Sequence, residues 1–268
     1  MNASLPELIQ HHPWLITLEA HASLSDLVAS RLEIALSAKE PEADPGSEND
    51  NGLAVIPLHG VMMRRPDAIA RFFGACDTEA VRESVELAAG DRSVGAVLLD
   101  IDSPGGTING TPELAAAVRS ASYRKPVYAF SAGMLCSAAY WVASQADAIY
   151  AAPSARVGSI GVLLPVIDRS EAYAKAGIKV EVFAAGKFKG AGVPGTSLTD
   201  DQRHWIQQGV DETWGQFKDA VRSRRNVPDE AMEGQHFAAG TAANHGLVSA
   251  LADARAEVEQ HIRFRHLS

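Results

Sequence analysis

The hydrophobic pattern of the chain alternates between continuous apolar runs and segments whose apolar residues recur at helical spacing. The apolar runs predict buried strands over residues 53–58, 94–101, 126–133 and 148–152, and an alternating strand over 178–185. Helical spacing predicts helices over residues 78–89 and 200–225, one helix that begins near Cys136 and one that ends at Ala176. A further helix is predicted to begin after Thr111, with Pro112 at its first position. Because strands and helices alternate, the pattern predicts an α/β fold with a mostly parallel sheet flanked by helices.

The helix predicted over residues 200–225 has the clearest signals at both its start and its buried face. Thr199 and Gln202 have the spacing of a capping box, in which each side chain bonds the other residue's backbone N–H. The predicted buried stripe consists of Ile206, Val210, Trp214, Phe217 and Val221.

The first fifty residues differ from the rest of the chain in composition. Residues 1–38 are predicted to form a helical segment, because Leu24, Leu27, Val28, Leu32 and Leu36 recur at helical spacing. Residues 39–51 are rich in proline, glycine and acidic residues, which is typical of a flexible linker. Residues 52–268 are then expected to form one domain.

Composition narrows the class of protein. The chain of 268 residues carries a net charge of −9, which disfavours a nucleic-acid partner, since such a partner requires a basic face. The two cysteines, Cys76 and Cys136, are too few for a disulfide framework and indicate a reducing compartment. Without a signal peptide pattern or an apolar run long enough to span a bilayer, we expect a soluble, cytoplasmic protein.

A glycine pair follows the predicted strand 94–101 directly. Gly105 and Gly106 lie between this strand and the start of the next helix, where exposed backbone N–H groups can hold negative charge. The pair is interpreted either as an oxyanion hole or as a tight strand-to-helix turn.

Two further segments carry candidate chemistry. Ser137 begins a predicted helix among small residues, so the Ala138 amide would point towards an oxyanion formed by its attack. Taken alone, however, this position favours a simple helix-start residue. Lys187 and Lys189 lie in a glycine-flanked loop, where lysines are usually solvated. A lysine acts as a general base only if burial lowers its pKa.

Together these segments resemble the signal peptide peptidase A family of serine peptidases, which includes the phage head-maturation proteases. The resemblance extends from about residue 53 to 252 and is carried by five motifs in order: Asp102–Gly106, Ser137–Trp141, Gly158–Val162, Gly186–Lys189 and Gly246–Val248. It implies a ClpP/crotonase-like fold. The sequence Ser-Ala-Ala-Tyr-Trp departs from the Ser-Gly-Gly-Tyr of membrane-attached members and is closer to the phage branch.

The resemblance also implies roles for individual residues. Ser137 would be the nucleophile and Lys189, rather than Lys187, the general base of a Ser–Lys dyad that hydrolyses peptide bonds. The oxyanion hole would be formed by the backbone N–H groups of Gly105 or Gly106 and of Ala138, and Ser159 would lie close to the dyad.

The implied partners are a peptide or unfolded protein as substrate and further copies of the chain, since relatives assemble into rings. No metal or organic cofactor is implied. Two alternatives remain open at this point: a crotonase-type enzyme that binds acyl-CoA and uses only the glycine loop, and a catalytically silent component of an assembly.

Overall fold

The computed structural model describes residues 14–17, 26 and 48–267 of the chain. The helices are α1 Ala68–Phe72, α2 Thr78–Gly90, α3 Thr111–Ser122, α4 Ala138–Ala143, α5 Ser170–Lys175, α6 Asp200–Arg222, α7 Ala239–Asn244 and α8 Arg255–His266. The strands are β1 Trp14–Ile16, β2 Glu48–Asp50, β3 Leu53–His59, β4 Val61–Met63, β5 Ala75–Asp77, β6 Ala96–Asp102, β7 Gly105–Thr107, β8 Val127–Ser131, β9 Met134–Cys136, β10 Ala148–Ala151, β11 Arg156–Gly158, β12 His236–Ala238 and β13 Ala250–Leu251.

The strands form three sheets. The largest has the order β13-β10-β8-β6-β3-β2 and is parallel except for the β2–β3 pair at its edge. A second sheet has the order β1-β7-β4-β5, and a third has the order β12-β11-β9. The predicted α/β class with a mostly parallel sheet is therefore confirmed.

The large sheet has an apolar layer on each face, as the continuous apolar character of β6 predicts. Alternate residues of β6, Val97 and Leu99, pack in the main core with helices α2 and α3. The intervening residues Ala96 and Leu98 pack with Val258 of α8 on the opposite face. Parallel strands of one sheet end at the same edge, and β6 therefore delivers the glycine pair of β7 to the edge at which β8 and β9 approach Ser137.

Helix α6 begins with the predicted capping box, since the Thr199 side chain accepts from the Gln202 N–H and Gln202 accepts from the Thr199 N–H. Its predicted buried stripe is only partly right. Phe217 and Val221 are fully buried, whereas Ile206 and Val210 are partly exposed. The reason is that the first half of α6 lies along an open groove rather than against the core.

Helix α3 also differs in detail from the prediction. Gly110, with φ +91°, occupies the position before the helix, and Thr111 is its first residue. The Thr111 hydroxyl donates to the Thr107 carbonyl at 2.8 Å instead of capping an N–H group.

The strand predicted over residues 178–185 is wrong, because this segment has no strand structure. Its apolar side chains stay in contact with solvent, with Phe183 93% exposed and Ile178 53% exposed. Alternating apolar character describes a strand only where a neighbouring strand completes the hydrogen bonds. In the described part of the chain no strand pairs with this segment.

The N-terminal expectations are partly outside the described residues. Of the helical segment predicted over residues 1–38, only residues 14–17 and 26 are described. Within the predicted helical segment, however, Trp14–Ile16 is a strand. Within the predicted linker, Glu48–Asp50 pairs with β3, so ordered structure begins before residue 52. None of the helices among the described residues is long and apolar enough to cross a bilayer.

Candidate active site

Ser137 occupies a strained junction between β9 and α4. Its φ of +54° and ψ of −118° lie where non-glycine residues are rare, at a cost of about 1–3 kcal/mol. Two backbone hydrogen bonds fix the junction, from Ser137 N–H to the Gly158 carbonyl at 2.7 Å and from Trp141 N–H to the Ser137 carbonyl at 2.9 Å. A strained turn that joins a strand to a helix also carries the catalytic serine of α/β-hydrolases.

The hydroxyl of Ser137 is buried and has no hydrogen-bond partner. A buried hydroxyl without a partner costs about 1–3 kcal/mol, so such a group requires an explanation beyond packing. The side chains that follow it, Ala138 and Ala139, are fully buried and small, which lets α4 approach β7 closely.

The two glycines of β7 are required by their surroundings. Gly105 has φ +106°, and a Cβ there would overlap the Leu15 carbonyl oxygen and lie 2.9 Å from the Ser137 Cβ. A Cβ on Gly106 would overlap the Met62 carbonyl. The structure thus brings the predicted Gly105 and Ser137 side by side, as the sequence motifs predict.

The two candidate oxyanion donors of β7 differ in what they bond. The Gly105 N–H donates to the Ser103 hydroxyl at 3.2 Å, and that hydroxyl donates to the Gly60 carbonyl at 2.6 Å. The Gly106 N–H instead points across the β1–β7 ladder, towards Leu15. Of the two glycines, Gly106 is therefore the one whose N–H can donate to a peptide segment that lies beside β7.

Ser159 lies next to this junction. It follows Gly158, whose carbonyl accepts from Ser137 N–H, and its own N–H donates to the Gln235 carbonyl at 2.8 Å. Ser159 is almost completely buried and has φ +55°. The expectation that Ser159 lies near the nucleophile agrees with these contacts.

Asp102, which the sequence analysis names only as the first residue of the Asp102–Gly106 motif, positions the segment that leads to Ser137. Its carboxylate accepts from the Met134 N–H at 2.9 Å, at the first residue of β9. A Cβ on Gly133 would overlap the same carboxylate, so a larger residue there would displace the Asp102 side chain. The signal in the sequence is a glycine, Gly133, directly before β9, together with an aspartate at the end of β6.

Lys189 is exposed in the loop between Gly186 and Gly190, and its backbone N–H donates to the Gly186 carbonyl at 3.2 Å. The Ser137 hydroxyl has no hydrogen-bond partner, so the structure does not bring the Lys189 amine to Ser137 within this chain. Lys187, the rival base, is also exposed and forms an ion pair with Asp201 at 2.7 Å.

Two cavities lie beside these residues. A cavity of about 370 Å³ is lined by Ile16, Ser159, Leu163 and Trp214. A larger, mainly apolar groove of about 700 Å³ runs between α6 and the segments 164–166 and 191–194, which flank the lysine loop. The smaller cavity thus borders Ser159 and strand β1, and the groove borders the residues that directly follow the lysine loop.

The fold is similar to solved enoyl-CoA hydratases. One from Mycobacterium avium subsp. paratuberculosis is 19% identical, with a TM-score of 0.45, and the match covers 84% of this chain and 75% of that structure.

Curated relatives include phage and bacterial proteins. Capsid assembly protease C of Escherichia phage lambda is 33% identical over 171 residues, 64% of this chain and 39% of that protein. Head-tail preconnector protein GP5 of Enterobacteria phage P21 is 30% identical over 203 residues, 76% of this chain and 40% of that protein. Protease 4 of Salmonella typhi is 26% identical over 222 residues, 81% of this chain and 34% of that protein. The chain thus spans well under half the length of these relatives.

The profile of one peptidase family matches more than half of the chain, residues 119–263, which include both Ser137 and Lys189. This match confirms the resemblance inferred from the five motifs: the chain belongs to peptidase family S49.

Proposed function

We propose that the protein is a serine endopeptidase in which Ser137 is the nucleophile and Lys189 the general base. The observation that carries this proposal is the buried, unpartnered Ser137 hydroxyl, held at a strained junction beside Gly105. A nucleophile must leave its hydroxyl free for the substrate and base. The strained backbone distinguishes Ser137 from Thr78 and Ser131, the other buried hydroxyls without a partner among the described residues.

The reaction follows from this arrangement. Neutral Lys189 takes the proton of the Ser137 hydroxyl as the oxygen attacks the peptide carbonyl carbon, and the ammonium then protonates the leaving amine. Water hydrolyses the acyl-enzyme in the same manner. The backbone N–H groups of Gly106 and Ala138 bind the oxyanion, and removal of one such donor typically costs about 3–4 kcal/mol. Gly105 takes the shaping role, because its N–H is engaged by Ser103.

The exposed position of Lys189 requires that its loop be brought to Ser137 by assembly or by substrate. Burial favours the neutral form of a lysine, which a general base requires, so burial must accompany this step. The segment around the loop exposes apolar side chains that a contact with further copies of the chain would cover: Val166, Ile167, Ile178, Val182 and Phe183. We therefore propose a homo-oligomer as the active form.

The proposed substrates are peptides or unfolded proteins, bound as extended segments along the apolar groove. The relatives that carry the names of a capsid assembly protease and a head-tail preconnector protein favour processing of capsid or scaffold proteins in a phage prohead. Residues 137–141 depart from the motif of membrane-attached family members, which also favours capsid or scaffold proteins as substrates.

Digestion of casein, followed by mass spectrometry of the fragments, tests the proposal. The wild type is expected to cut casein, whereas Ser137→Ala and Lys189→Ala are expected to lose the activity and keep their fold by circular dichroism. Lys187→Ala is the matched control, since it removes an exposed charge from the same loop and only breaks the ion pair with Asp201. Equal cleavage by wild type and Ser137→Ala would overturn the proposal.

A further inference from the structure

The N-terminal strand β1 lies directly on the glycine strand of the candidate active site. Trp14, Leu15 and Ile16 pair antiparallel with Thr107, Gly106 and Gly105 in that order. All three residues of β1 are buried, with Trp14 and Leu15 at 0% exposure. A segment of the chain's own N-terminal region therefore fills the space in front of the glycines.

The ladder assigns the hydrogen bonds of this segment. The Thr17 N–H donates to the Pro104 carbonyl at 3.2 Å. Hydrogen-bonded pairs alternate along an antiparallel ladder, so Leu15 and Gly106 form the next such pair. The Leu15 carbonyl oxygen thus accepts from the Gly106 N–H, the proposed oxyanion donor.

The other edge of β1 is also paired. The Trp14 N–H donates to the Leu163 carbonyl at 2.8 Å, and the Leu163 N–H donates to the Trp14 carbonyl at 3.0 Å. Residues 14–17 are therefore held between β7 and Leu163 by backbone bonds on both sides. Extended peptides that bind proteins by strand addition are held in this way, with side chains entering pockets on alternate sides.

The same segment faces the serine. A Cβ built on Gly105 would overlap the Leu15 carbonyl oxygen and lie 2.9 Å from the Ser137 Cβ, so these two atoms border one methyl-sized space. The Ser137 hydroxyl, which has no partner, thus lies beside a carbonyl whose oxygen is already held by the proposed oxyanion donor.

We propose that residues 14–17 are bound as the chain's own substrate and that Ser137 cleaves the Leu15–Ile16 peptide bond. The inference rests on the proposed function. Ser137 Oγ forms a bond to the Leu15 carbonyl carbon while its proton passes to the Lys189 amine. The bond from this carbon to the Ile16 nitrogen breaks, and the nitrogen leaves as an amine after it receives the proton. Water then hydrolyses the ester, which releases residues 1–15 with a Leu15 carboxylate and restores the serine.

The cleavage also opens the site. As long as Trp14 and Leu15 remain bound, no second peptide can pair with Gly106 and Leu163. Release of residues 1–15 frees these backbone groups, and the chain's first turnover would make them available for other peptides.

Intact-mass measurement of the full chain, purified through a C-terminal tag and incubated at neutral pH, tests the inference. Wild type and Ile16→Val are expected to lose residues 1–15 and begin at residue 16. Ser137→Ala and Ile16→Pro are expected to keep them, since the first lacks the nucleophile and the second presents a proline at the bond to be cut. Circular dichroism of each variant checks that it is folded.

Casein digestion by the same samples distinguishes a failure of self-cleavage from a failure of the proposed peptidase function. A wild type that digests casein but keeps its N-terminus, or is cut at another bond, would overturn self-cleavage and leave the proposed function standing. A wild type that neither digests casein nor loses its N-terminal residues would overturn the proposed function and, with it, the inference of self-cleavage.

Discussion

Gly105 and Ser137 lie so close together that a Cβ on Gly105 would be 2.9 Å from the Ser137 Cβ. This contact joins the glycine strand to the strained serine, and it leaves no room for a side chain between them. It also explains why a glycine with φ +106° is needed at this position, where an L side chain would be strained in addition.

Gly105→Ala is therefore expected to lower both activity and the free energy of unfolding. The change adds a methyl group to an occupied space in the left-handed region, which costs more than about 1 kcal/mol. Urea denaturation and casein digestion measure the two effects.

The matched control is Gly215→Ala, where a Cβ on helix α6 meets nothing within 4 Å. This substitution is expected to raise the free energy of unfolding by up to about 1 kcal/mol, because alanine favours the helix. A Gly105→Ala variant with unchanged activity would contradict the close contact with Ser137.

Asp102→Ala is expected to reduce kcat because it loosens the segment that positions Ser137. Asp102 accepts from the Met134 N–H at 2.9 Å, and its loss costs up to about 1.5 kcal/mol, or roughly a tenfold change in rate. Asp102→Asn keeps an oxygen that accepts this bond and is expected to retain most of the kcat. If both variants lose kcat equally, the carboxylate charge rather than the hydrogen bond matters.

Tyr140→Phe is expected to lower stability and to leave the kcat of the folded enzyme unchanged. The buried Tyr140 hydroxyl donates to the Leu247 carbonyl at 3.0 Å, and burial raises the pKa of this phenol well above its usual range. The variant leaves a buried carbonyl without its donor, which costs about 1–3 kcal/mol. Urea denaturation measures the loss; a fall in kcat for folded protein would instead place Tyr140 in the reaction.

Asp100→Asn is expected to lower the free energy of unfolding at neutral pH and to reduce its acid sensitivity. Burial raises the pKa of the Asp100 carboxyl. The hydrogen bonds from His59 and Arg255 lower this pKa by more than burial raises it, so the pKa in the folded state lies below its usual value. A carboxyl whose pKa is lower in the folded state stabilises the fold above its unfolded pKa of about 3.9. This stabilisation is lost as the pH falls through the lower, folded value.

The measurement is the free energy of unfolding of wild type and Asp100→Asn between about pH 5 and pH 2.5. The difference between the two proteins should be largest near pH 5 and should shrink below about pH 4. A difference that stays constant over this range would show that the Asp100 ion pairs do not lower its pKa.

The parts of the fold and site that the sequence predicts are those set by local chemistry. The run 94–101 is apolar on both faces, and the glycine pair and Ser137 follow strands directly, so their shared location follows from the parallel arrangement. The capping box of Thr199 and Gln202 is predictable because its partners are three residues apart.

What could not be predicted depends on partners far along the chain. Residues 178–185 have strand character, but no neighbouring strand among the described residues completes their hydrogen bonds. Trp14–Ile16 has no strong pattern of its own, and its strand exists because Gly106 and Leu163 provide backbone partners on both sides. Lys189 is exposed in this chain, and the contacts by which its loop would reach Ser137 in the proposed oligomer lie outside the loop's own sequence.

The most direct test of the central claim is covalent labelling of the active protein with a fluorophosphonate, followed by peptide mapping. The account predicts one phosphonylated residue, Ser137, with labelling strongly slowed in Lys189→Ala and unchanged in Lys187→Ala. A protein that digests casein while its label resides on another residue, or that labels equally fast without Lys189, would contradict a Ser137–Lys189 dyad.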